Sequence, residues 1–159
     1  MEENKVTILI VTGILMFSII VSSIPQESTL RTYDEIRMIS RNISTHSNST
    51  YNTIKQIDDY VFDVTNYSVR PYGKKSLHQF WLTKKGDCTE MAELTDKMLE
   101  YAGIRSRQVR GKACYWVQKN RRGRIINSDC SWHMWVEYRM DNGTWWTLEE
   151  DKFAYLDKI

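Results

Sequence analysis

Proline is almost missing from this chain of 159 residues, with two, and glycine is sparse, with seven, which excludes a collagen-like or linker-dominated sequence. No sign of charge prevails. The 22 Lys and Arg stand against 20 Asp and Glu, and a net charge of +2 is too small and too evenly spread to argue for a nucleic-acid partner. No internal repeat is visible, and neither a CxxC nor an HxxxH spacing occurs to gather metal ligands, so no zinc centre and no cofactor are expected. The length excludes a large multidomain enzyme. Cysteine is scarce too, and its count of three is odd.

One long apolar run is present. Residues Val6 to Ile24 carry no charge and are followed by Pro25, enough to cross the hydrocarbon core of a bilayer. A retained signal anchor and a signal peptide cut after Ser22 and Ser23 both fit. The anchor is favoured, because the run is longer than a usual signal core and the preceding tail, residues 1–5, has one Lys against two Glu. Sequons begin at Asn42, Asn48, Asn66 and Asn142, against roughly one expected by chance. The expectation is a single-pass membrane protein whose C-terminal part lies outside the cytoplasm.

After the anchor, residues 25–50 form a polar stalk or linker with helical propensity, in which Leu30, Tyr33, Ile36 and Ile39 fit one helical stripe. Ser44 to Thr50 is the best break. A domain over residues 51–159 follows. Ile54, Ile57, Val61 and Val64 predict a helix from about Tyr51 to Val64. Cys88, Met91, Ala92, Thr95, Met98, Leu99 and Ala102 predict another from Cys88 to Ala102, closed by Gly103. Arg107 to Cys114, Trp132 to Met140 and Trp145 to Glu149 read as strands, the last two joined by a hairpin at Asp141, Asn142 and Gly143. Helices followed by an antiparallel sheet indicate α+β.

Cys88 opens its helix, after Lys85-Gly86-Asp87, and lies on the helix's apolar face. A helix N-terminus favours thiolate over thiol and offers unpaired N–H groups to a developing oxyanion. Alone, such a cysteine is more often a buried structural residue; a nucleophile needs a base beside it. Among the histidines, His46 falls in the polar linker and His78 in an irregular stretch, whereas His133 lies on a predicted strand between Trp132 and Trp135. Only His133 looks built in.

The run GDCTEMAELTDKMLEYAGIRSRQVRGKA, with WHMWVEY and NGTWWTLE after it, resembles the transglutaminase-like cysteine peptidase superfamily. Its pattern is a glycine and the cysteine opening a helix, an "aGI" turn, R-x-V-x-G on a strand, a His-x-Trp strand and a Gly-Trp strand ending in an acidic residue. The segment YVFDVTNYSVRPYGKKSL is also similar to pseudomurein-cleaving endoisopeptidases of that superfamily. The resemblance implies a papain-like α+β core, with the cysteine-bearing helix packed on an antiparallel sheet, and a Cys-His-Asp triad. Cys88 matches the nucleophile and His133 the base. The third position departs from the pattern, because Glu149, Glu150 and Asp151 stand where the family carries Asp. A two-residue Asn142-Gly143 loop would place Glu150 on the His133 side. A three-residue loop, Asp141 to Gly143, would place Glu149 there and gather Met134, Val136, Tyr138, Trp146 and Leu148 on one apolar face, so Glu149 is preferred.

The implied chemistry is attack of the Cys88 thiolate on a carboxamide or peptide carbonyl, giving an acyl-enzyme that water hydrolyses or an amine captures. The substrate would be a peptide or protein, with the cell envelope as one source. Cys114 and Cys130 are placed to pair in an oxidising exterior, which would leave Cys88 as the free thiol. The alternative is a catalytically inactive surface-exposed binding module on the same fold, suggested by the glutamate departure and by Trp116 and Trp145. A nucleic-acid surface on Lys119, Arg121, Arg122 and Arg124 is not expected, a basic loop being usually a solvated turn.

Overall fold

The computed structural model describes residues 27–68, 73–114, 130–148 and 155–158, the last of these as backbone only. The chain divides into two compact units, Met1–Glu35 and Ile36–Ile159. In the first, the described residues are helical, and Arg31 pairs with Glu35 across 3.4 Å on an exposed surface. Among the described residues no helix is long and apolar enough to cross a membrane; the expected span at 6–24 lies outside them.

Helix α1 covers residues 27–46. The stretch expected as a stalk is helical over these residues, and only part of the expected stripe is buried. Ile36 and Ser40 are buried, and the Ser40 hydroxyl donates to the Ile36 carbonyl, whereas Leu30 is 59% exposed. At about 100° per residue, Leu30 lies roughly 120° around the helix from Ile36, while Ser40 lies only about 40° away. His46 is the last residue of this helix, with Nδ1 2.8 Å from the Asn42 carbonyl. Only residues 47–49 separate α1 from the next helix.

Helix α2, Thr50–Val64, is capped by Ser49, whose side chain accepts from the Asn52 N–H, and it buries Ile54, Ile57 and Val61. Three elements then appear that hydrophobic periodicity did not announce. Strand β1, Asn66–Tyr67, pairs in parallel with β2, Lys85–Gly86, and between them lies α3, Leu77–Thr83. His78, expected in irregular chain, is in α3. That helix is short, but Ser76 and Gln79 form a reciprocal capping box, and Leu77, Phe80 and Trp81 are buried.

Helix α4, Cys88–Tyr101, follows at once. Gly103, with φ of +79°, ends it as expected, and Ile104 donates back to the Leu99 carbonyl. A four-stranded antiparallel sheet completes the unit in the order β5-β4-β3-β6, from β3 (Ser106–Cys114), β4 (Cys130–Arg139), β5 (Trp145–Trp146) and β6 (Tyr155–Lys158). Ser106 and Gln108 of β3 donate to the two carboxylate oxygens of Asp96 on α4, so that helix lies over the face carrying them. Their partners across the ladder, Tyr138 and Val136, are buried.

The hairpin takes the three-residue register. Met140 donates to the Thr144 carbonyl, and Tyr138 pairs with Trp146. The apolar face anticipated from that register is only partly covered: Tyr138 and Val136 are buried, but Trp146 is 53% exposed at the sheet margin, where its indole N–H donates to the Thr144 hydroxyl.

Candidate active site

The approach to Cys88 is built from two turns of chain that have little freedom. Gly86 is buried, and a Cβ there would come within 2.8 Å of the Phe80 ring and 2.9 Å of a Glu90 oxygen, so only glycine lets β2 pass between them. Asp87 then caps α4, its carboxylate accepting from the Thr89 N–H at 2.8 Å. Glu90, 1% exposed, accepts from the Asp87 N–H at 3.0 Å and from the Lys75 N–H at 2.9 Å. One buried carboxylate thus ties the segment before α3 to the start of α4. Sequence reasoning passed over Glu90. Its signal was the Asp-x-x-Glu of a capping box, legible in Asp87 to Glu90.

Cys88 is the free cysteine among the described residues and is half-buried. Burial pushes its thiol up, the hydrogen bond to the His133 side chain pulls it down, and the Met134 backbone and the charge of His133 pull the same way; Asp87 opposes them, and the net direction is downward. Sulfur and imidazole, 45 positions apart in sequence, thus border one cavity at a helix N-terminus, where the helix field also favours thiolate. His133 stacks against Trp135 with ring centroids 6.2 Å apart, and Trp135 is 1% exposed, so the imidazole lies beside a buried aromatic ring.

The strands that carry His133 are fastened on either side. Cys114 and Cys130 face each other across β3 and β4 and are bonded as a disulfide, the pairing expected from the spacing. At the other end, Glu137, 1% exposed, takes two donors from Arg107 at 2.7 and 3.1 Å, and the guanidinium lies 4.2 Å from the Trp145 ring centre. Trp145 is therefore half-buried beneath arginine rather than free surface.

Of the residues singled out from sequence, the structure brings Cys88 and His133 together and leaves His46 and His78 on other elements. Glu149, Glu150 and Asp151 lie outside the described residues, as do Trp116, Lys119, Arg121, Arg122 and Arg124. The hairpin register that favoured Glu149 is the one observed. No group of three or more His, Cys, Asp or Glu positioned to hold a metal occurs among the described residues. A cavity of about 250 Å³ borders both Cys88 and His133.

The sequence model of the transglutaminase-like superfamily matches residues 37–149. The chain belongs to that superfamily. The match begins within α1 and ends on Glu149, so it takes in both residues of the pair and the favoured third position. Among solved structures, a candidate cysteine protease from Cytophaga hutchinsonii is 16% identical, with a TM-score of 0.57, over 80% of this chain and 41% of that one. The periplasmic domain of TgpA from Pseudomonas aeruginosa is 20% identical, with a TM-score of 0.55, over 80% of this chain and 48% of that one. A structure described as a TGase is 17% identical, with a TM-score of 0.52, over 81% of this chain and 33% of that one. At these identities the likeness is one of fold, and this superfamily member spans less than half of each of those chains. No curated protein matches it.

Proposed function

We propose that this chain is a thiol-dependent amide hydrolase or acyltransferase, anchored in a membrane by residues 6–24 and facing the exterior. The observation that supports the reading is the Cys88 thiol at the start of α4, bordering the same cavity as His133, whose side chain and charge pull the thiol downward. In the proposed reaction the Cys88 sulfur attacks the carbonyl carbon of a peptide or carboxamide, and the C–N bond breaks as His133 gives its proton to the leaving nitrogen. Water or an amine then attacks the thioester, releasing acid or a new amide and returning the thiol. The N–H groups at the head of α4 would receive the oxyanion. Glu149 is the proposed orienting group for His133, one methylene longer than the family's aspartate.

The exterior placement is supported by the Cys114–Cys130 disulfide, since disulfides persist in oxidising compartments. Asn42, Asn48, Asn66 and Asn142, which open the four sequons, are all exposed. The substrate we propose is a peptide or protein, with cell-envelope peptides first in line. Incubation of the protein with wall peptides and with glutamine-containing proteins tests this reading. Ammonia or amine release with a transient acyl adduct on Cys88, lost in Cys88→Ser, is the expected result. A Cys88→Ser protein that keeps its entire biological effect would favour the binding-module alternative instead.

A further inference from the structure

The cavity beside the pair is an unusual companion for a charged reaction centre. Met91, Thr95 and Leu99 line it at three, seven and eleven residues beyond Cys88, so it follows α4 for roughly 16 Å at about 1.5 Å per residue. Val61 of α2 and Val136 of β4 line it as well. Interiors normally close such voids by repacking, yet Met91 and Thr95, on the apolar face of α4, remain only half-buried. Phe62 and Tyr67 also border it, and they are 70% and 62% exposed, which brings aromatic surface out into water. The polar groups on its wall apart from the reacting pair are few, and Asp58 is the carboxylate among them. An apolar hollow with a small number of convergent polar groups is the ordinary form of a ligand site.

Resting on the thiol–imidazole chemistry above, we propose that the acyl half of the substrate carries a large aliphatic or aromatic side chain next to the reacting carbonyl, and that this side chain is seated along α4 in this cavity. A carbonyl placed against the Cys88 sulfur has its nearest substituents at the mouth of that hollow, because Cys88 and His133 border it. Leucine or phenylalanine would gain by leaving water there. A glutamine side chain would lose hydration without replacement, and a glutamate would in addition meet Asp58. In the reaction the sulfur–carbon bond forms, the carbon–nitrogen bond breaks, and the departing amine takes the His133 proton; the apolar side chain contributes by holding the carbonyl in place.

The test uses the full chain with acetyl-Leu, acetyl-Phe, acetyl-Ala, acetyl-Gln and acetyl-Glu 4-nitroanilides, following nitroaniline absorbance and the mass of the acylated protein. The Leu and Phe compounds are expected to exceed the Ala compound in kcat/KM by roughly 10- to 200-fold, with Glu slowest. Acylation of Cys88 at equal rates by Leu, Ala and Gln compounds would overturn the inference and leave the proposed chemistry standing. No adduct and no release from any of the five would overturn both. Filling the hollow gives a second measurement: Thr95→Trp, in a protein that still unfolds cooperatively, is expected to cut the Leu-over-Ala preference by about tenfold or more. An unchanged preference in that variant would also overturn the inference.

Discussion

Glu90→Gln is the most informative structural perturbation outside the reacting pair. The native carboxylate, 1% exposed, accepts from two backbone N–H groups, of Asp87 at 3.0 Å and Lys75 at 2.9 Å. Glutamine has a single acceptor oxygen, so one N–H keeps a partner without charge assistance and the other faces an NH2 group. An unsatisfied buried donor costs about 1–3 kcal/mol, and the lost charge assistance adds about 1 kcal/mol, for a total of about 2–4 kcal/mol. With an m-value of about 2 kcal/mol per molar urea, the unfolding midpoint falls by roughly 1–2 M. That is a large part of the roughly 5–15 kcal/mol holding an ordinary domain together. Glu90→Ala, which deprives both donors, is expected to cost more. Chemical denaturation followed by circular dichroism gives the number directly. A Glu90→Gln midpoint within about 0.3 M of the parent, with the same m-value, would refute the claim that this carboxylate ties α3's approach to α4.

Two further outcomes follow from the same scaffold. Gly86→Ala places a methyl group within 2.8 Å of the Phe80 ring and 2.9 Å of Glu90, so overpacking should destabilise the protein by about 1–3 kcal/mol in the same denaturation assay. Reducing Cys114–Cys130, whose partners are 16 positions apart, should lower stability by about 3 kcal/mol on the chain-entropy model; a midpoint that ignores reductant would contradict that loop-closure account.

The elements legible in the sequence are those whose own residues carry the pattern. Ile54, Ile57 and Val61 repeat at helical spacing and are buried on α2, and β3 and β4 match the strands expected there to within two residues, β4 with an aromatic-rich run. Cys88 and His133 were legible as candidates because each sits at a place with a physical signature, a helix start and a tryptophan-flanked strand. What escaped was structure made by distant partners. The two-residue strands β1 and β2 exist only because they pair with each other, and α3 has seven residues, too few for a periodic signal. Met91 and Thr95 read as ordinary core positions from their spacing, yet they line a hollow, because periodicity reports which way a side chain faces and not whether the opposing surface closes on it. Leu30 failed for a related reason: a three-residue repeat drifts around the helix, and burial followed the spacing of four between Ile36 and Ser40.

The central claim is that Cys88 reacts as a thiolate because His133 holds it, and the alkylation rate of the intact protein as a function of pH measures this most directly. The thiolate is the reactive form, so a downward shift moves the rate's midpoint to lower pH and makes Cys88 faster than free cysteine at neutral pH. The account predicts a midpoint below the roughly 8.5 of an ordinary thiol, moving upward in His133→Ala. A midpoint at or above that of free cysteine, or one that His133→Ala leaves in place, would contradict it.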